Sequence, residues 1–502
     1  MKKKELIIIL GSLLVVVLSV TLAYFTTEIF GTGKDISLDS ANLKITFSSG
    51  SGNISSTNIE PGWSSGASTF TVKNESNDTY KYNIIIKDLV NTFVTKGFLL
   101  YKITSTDGGY NMSDFVDVPK SSQATDTILA YSVEIAKGVT HTYTVEFKYL
   151  TSEEDQSDDM GRILSGTLYI EKGTDKPLTL AEKIIEDRTI ETTARGGAYN
   201  TVFTEDTTGT LFQTTESIAG AAAKTVYYFA GAPKDNWVKF ANFYWRIIRT
   251  NHDGSVKLLY AGTSPDTTSG YIGTSAFNSS YDSPKYVGYM YGTDGSLSES
   301  RTNENDSTIK TYIDNWYSTN LSSYTKYIST EAVYCNDRQL DSGQTWSTSS
   351  DFNYITYTRL DYDTDGAKAS PTYDCANSKD AFSGSNTEAK LTYPIGLMTA
   401  DEINIAGGLA FNNAPAYYYL NSAGGSVTGS TYWWSLSPML WHGGYSVVWG
   451  VGGSGDPGGL SHDYVYYVYG VRPAISLKTC ALWTSGNGAP ETPYEISTTS
   501  GC

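Results

Sequence analysis

Histidine is the scarcest chemistry-bearing residue in this chain. Only His141, His252, His442 and His462 occur in 502 residues, and none belongs to a His-Glu-x-x-His pair. That absence removes the common zinc-hydrolase arrangement. His442 and His462, twenty positions apart, are a weak basis for a metal site. Positive charge is also short, with 36 Lys and Arg against 53 Asp and Glu, a net charge of −17 and no basic stripe. Without cations to neutralise phosphates, a nucleic-acid partner is excluded. There is no Gly-x-Ser-x-Gly elbow, phosphate loop or dinucleotide-type glycine pattern. Apart from one N-terminal run, no apolar stretch is long enough to cross a bilayer.

That run follows Lys2, Lys3 and Lys4, and no charge appears between Leu6 and Thr27. It reads as a membrane-spanning helix with its lysines on the cytoplasmic side. The alternative is a signal peptide processed within Thr21 to Thr26. Either way, the chain beyond residue 30 is expected outside the cell, anchored to the membrane or released by cleavage. Export permits disulfides among Cys335, Cys375, Cys480 and Cys502. Proximity favours Cys335 with Cys375 and Cys480 with Cys502, and no Cys-x-x-Cys knuckle suggests a metal.

The chain is rich in tyrosine and glycine, 39 and 47 residues, a composition that suits β-rich extracellular modules. The expected architecture is β-rich and multidomain: an N-terminal transmembrane or signal helix (1–30), a β-sandwich (31–172), a helical linker and connector (173–224), an α+β domain (225–479) and a tail (480–502). In the sandwich, segments 43–47, 68–74, 80–88, 98–104, 141–150 and 166–171 alternate apolar and polar residues between turn-forming ones. The acidic run 153–159 reads as a solvated loop, with a calcium cluster as the alternative. Residues 177–188 predict a short helix introduced by proline. Further on, 244–262 predicts a hairpin, while 307–321 and 397–408 predict helices.

Two constellations carry candidate chemistry. Asp361, Asp363 and Asp365 precede Gly366 with the alternation of a calcium loop, although Thr372 stands where an EF-hand places its glutamate. No other cofactor is expected. The second is the aromatic, glycine-rich stretch 432–477. Trp441, Tyr445, Trp449, Asp456, His462, Tyr464, Tyr466 and Tyr467 form the candidate ligand-binding set, because Tyr and Trp supply large contact area at little rotamer cost. Filling of the core by alternate rings is the competing reading. Arg472 is expected to be architectural, held by a carboxylate or by several backbone carbonyls.

The pieces FYWRIIR…GSVKLLYAG, YPIGLMTADEI, YWWSLSP and GVRPAISL resemble Firmicutes surface-protein modules related to the C-type-lectin fold. That fold is shared with formylglycine-generating enzymes and with the variable proteins of diversity-generating retroelements. The resemblance implies scaffold roles for Trp434 and 435–438, an exposed variable segment over 441–469, and closure of the domain by 470–473. No cysteine lies between Cys375 and Cys480, so the oxidase chemistry of the enzymes is not carried over. The TLAYFTTEIFG junction and ISLDSANLKITF, with the sandwich that follows, are similar to TasA/camelysin-like exported proteins. These readings imply a non-catalytic surface adhesin or ligand-binding protein, whose partner is a protein or glycan at a cell surface. The alternative is a fibre or matrix subunit that self-associates through the sandwich. A secreted hydrolase is the third reading and requires a cleft where two carboxylates converge.

Overall fold

The computed structural model describes residues 36–38, 43–47, 59–153, 155–195, 199–360, 369–414, 417–423, 425–453 and 457–502. The expected N-terminal helix, the Asp361/Asp363/Asp365 loop and Asp456 lie outside the described residues. Among the described residues no helix is long and apolar enough to cross a membrane. The chain is β-rich and divides into two compact units, Met1–Lys176 and Pro177–Cys502.

In the first unit, β1 (Ile36–Leu38), β2 (Leu43–Phe47), β3 (Ser68–Asn74), β4 (Tyr80–Asn91), β5 (Leu99–Ser105), β6 (Val116–Asp117), β7 (Ser121–Ile135), β8 (Thr140–Tyr149) and β9 (Leu164–Lys172) form two sheets. Their orders are β1-β2-β3-β8-β5-β6 and β7-β4-β9. One core takes Phe70, Ile103, Tyr143 and Phe147 from the first sheet and Ile84, Ile86, Leu168 and Ile170 from the second. Alternation explains this, because every second residue of β3, β8 and β9 is buried. The acidic run 153–159 is not wholly solvated. Asp159 is buried and accepts from the Val94 and Thr95 amides and the Tyr149 hydroxyl.

The second unit begins with a helix, Leu180–Glu186, whose Thr179 and Glu182 make a reciprocal capping box. A nine-stranded sheet follows. It contains β10 (Thr189–Glu191), β11 (Thr210–Glu216), β12 (Lys224–Tyr228), β13 (Trp237–Phe240), β14 (Phe243–Thr250), β15 (Val256–Tyr260), Ala474–Leu477, Trp483–Ser485 and Tyr494–Ile496. The stretch expected to be a connector therefore supplies β10, β11 and the first residue of β12, and the expected tail supplies the last two strands. Thr-rich β11 shows little apolar periodicity, yet its residues Phe212 to Glu216 are held by antiparallel pairing with β12. Cys335–Cys375 and Cys480–Cys502 are the two disulfides, paired as proximity in sequence suggests, and both fit an oxidising compartment.

The second large sheet orders β16 (Thr274–Ala276), Val468–Gly470, Trp433–His442, Tyr445–Val451 and Leu460–Tyr464, with Phe352–Asn353 pairing onto Trp433–His442. The central hairpin turns through Gly443 and Gly444, both at positive φ (59° and 84°), as a two-residue primed turn requires. Its register shifts around Pro438, which has no amide to give to the ladder.

Candidate functional site

The hairpin Trp433–His442/Tyr445–Val451 is buried almost throughout. Helices Ile355–Leu360 and Ala400–Ala406 and the short turn Pro284–Val287 pack against it. This corrects the expectation for two candidates: Trp441 (2% exposed) and Trp449 (0%) are core, not surface. When both faces of a hairpin are covered, alternation no longer separates inside from outside. Trp449 lies beneath the rings of Phe411 and His462. Trp434 is scaffold, and its indole N–H donates to the Ser275 carbonyl at 2.9 Å. Arg472 is fully buried against Trp433 and donates to the carbonyls of Tyr260, Gly270 and Tyr419. Of its two expected arrangements, it takes the one with carbonyls.

The remaining aromatics do gather. Tyr445 follows the hairpin turn, Tyr464 ends the next strand, and Tyr466 and Tyr467 occupy the turn before Val468. Tyr464 and Tyr466 stack at 5.8 Å and 4° between planes, Tyr445 meets Tyr464 at 4.8 Å, and Tyr466 meets Tyr467 at 4.7 Å. Tyr281, absent from the sequence-based set, completes the cluster by stacking on Tyr445 at 5.3 Å and meeting Tyr466 at 4.8 Å. Tyr281 (40% exposed), Tyr467 (42%) and Val468 (61%) open this face to solvent. The hydrogen bond with Tyr467 pushes the Tyr466 hydroxyl up to about 12. The sequence signal for Tyr281 was only a tyrosine in a serine-rich loop. Its position comes from Ser446 donating to its carbonyl across the fold.

Beside this face is a polar cleft of about 440 Å³, lined in part by Ser275, Asn278, Ser279, Ser280, Thr311 and Tyr312. It adjoins the cluster through the Ser280–Tyr281 peptide and through the Asn278 amide, which donates to the Val465 carbonyl. Asn278 is 3% exposed, and its side-chain Nδ2 has no hydrogen-bond partner among the described residues. Rings on a rim and amide and hydroxyl groups in an adjoining hollow are a binding arrangement, with apolar contact area next to orientation-fixing polar groups.

The chain matches no family model, no curated protein and no solved structure.

Carboxylates converge elsewhere, in the interior. Glu402 accepts from Lys257 Nζ at 2.6 Å and Arg249 Nε at 2.9 Å, while Arg249 Nη2 reaches Glu216 at 2.9 Å. Arg359 grips Asp401 with two hydrogen bonds and Asp337 with a third. The space among these groups is about 20 Å³, room for a single water. Burial pushes the carboxyls of Glu216 and Glu402 upward. Arg249 and His252 beside Glu216, and Lys257 and Arg249 beside Glu402, outweigh burial and hold both low, Glu216 at about 2. Such groups stay ionised and have no proton to give a leaving group. Among the described residues no three His, Cys, Asp or Glu side chains are grouped to hold a metal.

Proposed function

We propose that this chain is an exported, non-catalytic ligand-binding protein of the cell surface. In this reading its 177–502 unit presents the Tyr281/Tyr445/Tyr464/Tyr466/Tyr467 face to a protein or glycan. The observation that carries the proposal is that face itself: five tyrosines in mutual contact at the surface, with a hydroxyl-lined cleft adjoining. Tyrosine offers rigid amphipathic area, and serine and glycine beside it adapt to the partner. Its place in the second large sheet agrees with the C-type-lectin-like resemblance. The two disulfides agree with export, and the N-terminal apolar run supplies a route and an anchor unless it is cleaved. The interior carboxylates favour a non-catalytic reading, since they are ion-paired around a space too small for a substrate.

The test is a screen of the protein on glycan and host-protein arrays beside a Tyr445→Ala/Tyr466→Ala/Tyr467→Ala variant. Hits lost in the variant, with the thermal unfolding curve unchanged, support the face. Hits retained at full strength by the variant would reject it.

The fibre-subunit reading is favoured by one observation. Among the described residues the 15-residue strand β7 is an edge of its sheet, paired only with β4, and a long edge strand is a template for another chain. Sedimentation of protein lacking residues 1–24 decides this, because a strict monomer at high concentration is incompatible with it.

A further inference from the structure

Strand β14 carries two buried arginines three residues apart, and their surroundings differ sharply. Arg249 is 3% exposed and bonded to two carboxylates, Glu216 and Glu402. Arg246 is equally buried, at 3%, yet no carboxylate pairs with it among the described residues. Its Nε donates to Asn236 Oδ1 at 2.7 Å, Nη1 to the Asn421 carbonyl at 2.6 Å and Nη2 to the Pro233 carbonyl at 3.0 Å. A guanidinium has five N–H groups, so these three bonds leave two over. The rings of Trp237, at 4.2 Å, and Tyr418, at 5.3 Å, flank it.

The nearby charges do not neutralise it. Burial, reinforced by the charge of Arg472, brings the Arg246 guanidinium down to about 9 against the opposing pull of Tyr418, Asp235 and Tyr419. Asp235 uses its Oδ2 on Arg188 at 3.2 Å and on the Gly209 amide, and forms no ion pair with Arg246 although its buried Oδ1 has no hydrogen-bond partner among the described residues. A buried cation lacking an anion is costly, and a bound anion offsets that cost.

Arg246 also lines a cleft of about 570 Å³. Trp237, Tyr418 and Pro490 line it, the two rings only 1% exposed, and Lys234 at the exposed rim is ion-paired with Asp206 at 2.6 Å. Glu491, exposed, is the one carboxylate in the lining. We propose that this cleft is a binding site for a carboxylate carried on an aromatic or apolar body. The carboxylate takes the spare N–H groups of Arg246, and the body packs against Trp237, Tyr418 and Pro490. A neutral sugar leaves the charge of Arg246 uncompensated, and a bare inorganic anion gains nothing from the walls. The site is separate from the tyrosine face and does not depend on it.

The experiment titrates the full chain by calorimetry with N-acetylphenylalanine and its neutral amide, and with a short peptide ending in phenylalanine, free or amidated. Each acid is expected to bind about ten-fold or more tightly than its amide, since charge-assisted bonds to arginine are the strong ones. The tighter of the two acids tells whether a small molecule or a chain end is preferred. Ala423→Trp, an exposed position in the lining, should abolish binding. Glu491→Gln should tighten it, and the triple tyrosine variant should leave it unchanged. Arg246→Gln, which removes the charge, should erase the preference for acid. Equal binding of acid and amide, no saturable binding at millimolar ligand, or an unaltered titration in Ala423→Trp would each overturn the proposal. The Ala423→Trp arm applies whether or not the Arg246 variant folds.

Discussion

Glu216 was unremarkable in the sequence, one acid in a threonine-rich stretch, yet it is 1% exposed and faces Arg249 and His252. Its folded-state carboxyl lies at about 2 against an ordinary 4.5. The unfolded chain therefore takes up a proton first as pH falls. The associated stability is complete above about pH 4.5 and is lost on descending toward pH 2. By linkage the effect is on the order of 3 kcal/mol. Urea midpoints followed by tryptophan emission should fall across that window in the native chain and more shallowly in Glu216→Gln. An equal fall in both would deny the residue this role. Arg472 and Trp434 were readable at this scale because a charge inside an apolar strand and an aromatic in a framework motif each need a particular partner. Trp441 and Trp449 were not, because burial of the second hairpin face depends on helices far away in sequence.

At the scale of elements, the hairpin turn sets where Tyr445 emerges. Gly443 and Gly444 have open space around them, so a side chain there meets only the backbone penalty of positive φ. Gly444→Val should destabilise the second unit by about 1–2 kcal/mol. It should also weaken binding at the tyrosine face, as an array or titration would report. Strands with clean alternation, such as 43–47 and 68–74, were legible to the residue. β7 was not, because its first half (SSQATDT) is almost wholly solvent-facing and shows no period. Likewise β10 and β11 gain their stability from pairing across the sheet, which local composition does not encode.

For the whole molecule, two units with separate cores predict separate unfolding transitions. Both disulfides belong to 177–502, so reductant should lower one calorimetric transition and leave the other in place. Replacing Cys480 and Cys502 by serine opens a loop with a separation of 22 residues and should cost about 3 kcal/mol. A shift of both transitions would contradict the division. The first unit was legible as a sandwich through the alternation of strands such as β3, β8 and β9, although its sheets pair strands far apart in sequence, β3 with β8 and β4 with β9. The extent of the second was not, since its sheet draws strands from residues 189 to 496 and no local signal joins them.

The two buried tryptophans have an optical consequence. Trp441 pairs with Ser446, next to Tyr445, and Trp449 is opposite His462, two residues before Tyr464. Light absorbed by the surface tyrosines has acceptors close behind them, so their emission should pass to indoles shielded from solvent. Occupancy of the face would then be visible as a change in excitation transfer, with no label attached to the protein.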